Sequence, residues 1–209
     1  VGSAQAVDLN AQDAVAAPAG VDALLGYVTY ASRSSFVTTD GSKVDRNTHL
    51  SSVVEVLRYV HYTDFGGVRV APQVLLPRAN LYDARLGGAS LGSAAGMADP
   101  ILAMPIWLTH TAESHVAVIP YLHVPVGNYH AGQTLNVGEN RWKAVAQVAW
   151  AQQWGGGVMS QLSADVTAYG DNTRAGSNGQ ATLSQDASTQ LQAWRSEEHT
   201  SELQSQSTI

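Results

Sequence analysis

His115, His123, Ser163 and Asp165 are the residues whose types could together do chemistry. A histidine, a hydroxyl and a carboxylate are the parts of a nucleophilic acyl-transfer site. Their context argues against that use, because no Gly-x-Ser-x-Gly elbow surrounds Ser163 and nothing in the spacing brings the three types together. A metal fares no better. His115 and His123 fall on one extended run, roughly 26 Å apart at about 3.3 Å per residue, too far to share an ion. The chain has no cysteine, which removes thiolate metal sites, cysteine nucleophiles and disulfides. Gly87-Gly88 and Gly155-Gly156-Gly157 lack the lysine that a phosphate-cradling loop requires. The residues therefore describe no enzyme and imply no cofactor.

What remains is a set of polar side chains that could touch a solute without reacting with it: Arg69, Gln73, Tyr121, His123, Lys143, Gln147, Asp165 and Tyr169. Composition bounds their setting. Of 209 residues 44% are apolar and only 13% charged, about half the charged share of an ordinary soluble domain. The net charge of -6 provides no basic footprint, so nucleic acid is not an expected partner. No run of about 18 apolar residues offers a membrane-spanning helix.

The period of the chain is two, which means strands. In 67–77, Val68, Val70, Pro72, Val74 and Leu76 share one face, and Arg69, Ala71 and Gln73 share the other. In 115–126, Val116, Val118, Leu122 and Val124 oppose His115, Tyr121 and His123. In 141–153, Trp142, Ala144, Ala146, Val148 and Trp150 oppose Lys143, Gln147 and Gln153. In 158–169, Val158, Leu162, Ala164 and Val166 oppose Gln161, Ser163, Asp165 and Thr167. Weaker alternation marks 21–34, 49–61 and 100–111, and 182–194 is a last candidate. Arg58 breaks the pattern of its strand: either Val53, Leu57 and Tyr59 face outward with Glu55 among them, or a bulge shifts the register.

These strands run to about ten to twelve residues, close to what a tilted strand needs to cross a bilayer. Their connections alternate. Short turns are expected at 63–66, 111–114 and 153–156, and long Gly-, Asn- and Asp-rich loops at 38–48, 78–98, 127–140 and 171–179. Short turns at one rim and long loops at the other are the pattern of an outer-membrane barrel, with the turns periplasmic. Trp142 and Trp150 lie on the apolar face, with a vertical spacing of roughly 20 Å once the strand is tilted by about 40°, which suits aromatics at two membrane interfaces. An open sheet edge in hydrocarbon leaves backbone groups unpaired, so such a sheet must close. The expected fold is all-β, an antiparallel transmembrane β-barrel, occupying 21–194.

The ends read differently. Ala4-Gln5-Ala6 fits the small-residue pattern before a secretory cleavage site, so 1–6 reads as a signal-peptide remnant and 7–20 as a periplasmic N-terminal segment. Residues 195–209 break the alternation and resemble a translated sequencing adapter, a non-native tail. The barrel therefore reads as a C-terminally truncated fragment of a larger one.

Several short motifs carry a family resemblance. Asp99-Pro100-Ile101-Leu102 leading to Ile106-Trp107-Leu108, Pro125-Val126-Gly127-Asn128-Tyr129, and Asn136-Val137-Gly138-Glu139-Asn140-Arg141-Trp142 together resemble the meta-pathway of phenol degradation family of outer-membrane barrel transporters. Ala98 stands where that family has Gly, and Val126 where it has Thr. The resemblance spans roughly 21–194 and implies passive uptake of small hydrophobic or aromatic compounds, with no catalytic residues. The expected partners are the lipid bilayer and small solutes, and the oligomeric state stays open. The alternative is a structural or adhesive barrel with a filled lumen and partner-binding loops, since a small barrel can fill its interior with side chains.

Overall fold

The computed structural model describes residues 13–38 and 41–197. Sixteen strands occur in chain order, and no helix forms among the described residues. The first eight are β1 (Asp22–Arg33), β2 (Phe36–Val37), β3 (Lys43–Val44), β4 (His49–His61), β5 (Thr63–Phe65), β6 (Val68–Val70), β7 (Gln73–Leu86) and β8 (Ala89–Met97). They continue as β9 (Ile101–Ala103), β10 (Ile106–His110), β11 (Ser114–His123), β12 (Lys143–Gln153), β13 (Val158–Tyr169), β14 (Asn172–Ala175), β15 (Ala181–Leu183) and β16 (Ser188–Glu197).

Twelve of these form one antiparallel sheet. β1 pairs β4, β4 pairs β7, and β7 pairs both β8 and β9. β9 and β10 both pair β11, β6 joins β5 to β10, and the sheet continues through β12 and β13 to β16. The chain thus crosses from rim to rim along eight paths, with β8, β9 and β10 sharing one of them. Among the described residues β1 and β16 each have a single neighbour, so the sheet is an arc whose two edges do not meet.

The interruptions follow from proline chemistry. Pro72 and Pro105 have no N–H to give a ladder. The strand breaks at Ala71-Pro72 and at Met104-Pro105, and the facing groups pair around them: Ala71 N donates to Pro105 O and His61 N to Pro72 O.

Alternation sorts the faces. On β12, Lys143, Val145, Gln147, Ala149 and Ala151 are buried on the concave side, whereas Ala144, Ala146 and Val148 are exposed on the convex side. β13 does the same with Met159, Gln161, Ser163, Asp165 and Thr167 inside. Val60, Ala71, Ala103, Trp107, Ala117, Ile119 and Tyr121 complete an inner cluster. Small inner residues let the concave face close tightly.

Three expectations change. Residues 78–98 are not a loop but the β7–β8 hairpin, turning at Gly87 and Gly88 with φ of 60° and 91°. Its alternation is hidden by small residues and by register shifts between Leu81 and Arg85, where Asp83 takes φ 51°. The last strand is Ser188–Glu197 rather than 182–194, after a separate β14–β15 hairpin above it. β16 therefore includes Arg195, Ser196 and Glu197 from the segment set aside as a tail, pairing them with Ser160, Met159 and Val158. Of the two readings of Arg58, the first holds: it points inward without a bulge, and β1 and β4 pair in unbroken register from Asp22–His61 to Arg33–Leu50. Leu57 and Tyr59 are exposed outside, and Glu55 meets Arg78 there at 3.2 Å. The cleavage-site motif and residues 7–12 and 198–209 lie outside the described residues.

Candidate functional site: a polar lumen between two closures

All eight sequence-predicted solute-contacting residues lie on the concave side, but they fall into three tiers rather than one site. Arg69 and Gln73 belong to the short-turn end. Tyr121, Gln147 and Asp165 occupy the middle. His123, Lys143 and Tyr169 stand in one register row near the long loops. Trp142 is 52% exposed on the convex face, and Trp150, on the same face, packs edge-on against Trp154 at 6.3 Å between centroids.

The short-turn tier is organised by a segment no motif announces. Residues 13–17 do not hang below the sheet but fold into its concave side. Asp13 Oδ1 accepts a hydrogen bond from Arg58 Nη1 at 2.8 Å, and Arg58 Nε donates to Gln73 Oε1 at 2.6 Å. Three further bonds grip the main chain. Trp107 Nε1 donates to Ala14 O at 2.8 Å, Ala16 N donates to His115 Nδ1 at 3.2 Å, and Arg69 Nη1 donates to Ala17 O. Arg69 also pairs with Asp64 at 2.5 Å. Ala14 is fully buried as a result. The segment occupies the short-turn end of the concave side; the sequence singles out Arg58 and His115 but gives neither its partner on this segment.

In the middle tier Tyr121 Oη donates to Gln147 Oε1 at 3.0 Å. Gln147 is 0% exposed, yet its Nε2 finds no acceptor among the described residues; Gln161 Oε1 and Thr167 Oγ1 are likewise buried without partners. Ser163 donates to Gln192 Oε1 at 3.4 Å and His115 is taken by Ala16, so no nucleophile–base pair forms between them. One Gly-x-Ser-x-Gly run does exist, Gly88-Ala89-Ser90-Leu91-Gly92. It sits in the β7–β8 hairpin with no helix after it and so lacks the strand–turn–helix setting of a nucleophile elbow. Among the described residues no cluster could hold a metal ion.

The long-loop tier is built by the 124–142 loop. Asp99, buried at the head of β9, accepts Gly127 N and Glu139 N, each at 2.8 Å. The backbone there leaves no room for a side chain: a Cβ on Gly127 would lie 2.6 Å from Ala98 C, and one on Gly138 2.9 Å from Gly127 C. Gly138→Ala is therefore expected to cost about 1–3 kcal/mol by overpacking, read as a lower urea midpoint of the detergent-solubilised barrel.

Glu139, so held, faces two cations. Its Oε2 takes Arg141 Nη2 at 2.8 Å and its Oε1 takes Lys143 Nζ. Burial pushes the Glu139 carboxyl up, but the charges and hydrogen bonds of Lys143 and Arg141 outweigh it, and the group stays below its ordinary value. Arg141 lies over the Tyr169 ring at 4.6 Å from its centroid, and Tyr169 Oη meets Ser188 Oγ at 2.8 Å. Extending the odd-numbered face of β12 two residues back from Lys143 would have found Arg141.

Comparison with known proteins agrees with this architecture. Residues 33–198 match the family described as MetA-pathway of phenol degradation. A solved outer membrane channel from Pseudomonas putida F1 is 30% identical, with a TM-score of 0.77 over 89% of this chain and 69% of that chain. No curated protein sequence matches. An antiparallel sheet with an apolar outside and a polar inside, matched over most of its length by sequence and by shape, makes this chain a member of the phenol-degradation family and an outer-membrane β-barrel.

Proposed function

We propose that the protein is a passive channel through which small hydrophobic or aromatic compounds cross the outer membrane, selected by the inner residues Arg69, Gln73, Tyr121, His123, Lys143, Gln147, Asp165 and Tyr169. The observation that carries this reading is the polar inner face of β12 and β13, where Lys143, Gln147, Gln161, Ser163, Asp165 and Thr167 all face the concave side. A solid core pairs its polar groups or replaces them with apolar ones, because an unpaired buried donor or acceptor costs about 1–3 kcal/mol. A wet passage needs such groups, since solute and water are their partners. The family and the Pseudomonas channel point to transport rather than catalysis.

The test is ion selectivity of the purified protein in planar bilayers. Lys143→Ala and Arg69→Ala each remove a cation from the inner face and are expected to shift the preference from anions toward cations. Unchanged selectivity in both variants removes these residues from the pathway. The alternative, a structural or adhesive barrel with a filled lumen, draws on the buried plug of residues 13–17. It predicts no conductance even when that plug is released.

A further inference from the structure

The long-loop tier holds an imbalance that ordinary lumen lining does not explain. Arg141 and Lys143 are both buried, at 4% and 6% exposure, and they share the single carboxylate of Glu139. Asp99 pairs with neither cation among the described residues, since its two oxygens accept the backbone N–H groups of Gly127 and Glu139. Arg141 spends Nε and Nη2 on Glu139 and Gln185. Its Nη1 is buried and has no acceptor among the described residues. A guanidinium with a free edge, stacked flat on Tyr169, is preorganised for a planar anion. Lys143, the direct cross-strand partner of His123, has donors beyond the one given to Glu139.

We propose that this cluster is a binding site for a small aromatic carboxylate, the carboxylate accepting from Arg141 Nη1 and Lys143 Nζ and the ring lying along the inner face toward Tyr121. The open Nη1 lies in the plane of the guanidinium, which suits a flat carboxylate better than a tetrahedral inorganic anion. Glu139 is then the internal competitor that holds the two cations in place until the ligand arrives. The proposal rests on the channel reading only for the route by which the ligand reaches the site.

Isothermal titration of the purified full chain in detergent, with benzoate, phenol and inorganic phosphate as probes, tests it. Benzoate is expected to bind at least tenfold more tightly than phenol or phosphate. Arg141→Gln should weaken benzoate at least tenfold. Glu139→Gln should tighten it several-fold, an effect opposite in sign to simple loss of structure. Arg78→Gln, on the convex face, should leave it unchanged. Equal affinity for benzoate and phenol overturns the proposal, as does benzoate affinity that Glu139→Gln lowers or leaves alone. Arg141→Gln that still runs as a heat-modifiable folded barrel and binds benzoate normally overturns it as well. Benzoate binding without conductance would sink the channel and keep the site, and conductance without benzoate binding would do the reverse.

Discussion

Arg58→Met is expected to release residues 13–17 from the lumen and raise single-channel conductance several-fold. Arg58 meets the charge of the plug at Asp13, and it also donates to Gln73 and Tyr27 at 2.6 and 3.3 Å. Removing one partner of a buried ion pair costs about 3–5 kcal/mol, because the other charge stays desolvated. The three main-chain bonds from Trp107, His115 and Arg69 supply about 0.5–1.5 kcal/mol each, so together they are of the same size as the loss and cannot comfortably hold the plug. Methionine keeps the length of the stem, which limits collapse of the inner face. Asp13→Ala should open the channel in the same way with less damage to the sheet, since Asp13 is the more exposed partner. Planar-bilayer recordings check both variants. Wild-type conductance from a folded Arg58→Met barrel would mean that the plug does not close the route.

The second large effect is expected at Asp99→Ala. Its carboxylate makes two charge-assisted bonds to backbone N–H groups. At about 1.5–3 kcal/mol each, their joint loss approaches the cost of a core truncation. The loss is also local, because Gly127 and Gly138 approach one another so closely that the 124–142 loop has one packed arrangement. Without Asp99, Glu139 is no longer held against Arg141 and Lys143, and the loop should become a site of fast proteolysis while β11–β13 stay intact. Asp99→Asn should fall between, since it keeps one acceptor and turns a donor toward an N–H. Limited proteolysis and urea unfolding in detergent separate the two variants. Equal protection of the loop in Asp99→Ala and the wild type would refute the anchoring role.

Much of this was legible because a strand that divides lipid from water must alternate, and β11, β12 and β13 alternate without a slip. Tyr121, Gln147 and Asp165 were placed inside by parity alone. The β7–β8 hairpin was not legible, since Ala, Ser and Gly at 89–96 carry no contrast between faces and the register shifts midway. Arg58 looked anomalous only because its partner, Asp13, lies 45 residues away. Arg141 shares the odd-numbered face of 141–153 with Lys143, but parity gives it no partner, because Glu139 lies in the loop before the strand. The contacts at both ends of the inner face depend on long-range pairs, Asp99 with Glu139 and Trp107 with Ala14, and spacing within one strand cannot report those.

The way the barrel holds Ala14, Ala16 and Ala17 has a consequence for how this stopper can change over time. Trp107, His115 and Arg69 address its carbonyls and amide, atoms that every amino acid but proline carries. Ala14 is fully buried with its methyl in the inner cluster, whereas Ala16 and Ala17 are half-buried, so serine or glycine could take those two places with the same attachments intact. Only the aspartate is chemically spelled out. A lineage could therefore rewrite most of its cork, residue by residue, without touching the bottle.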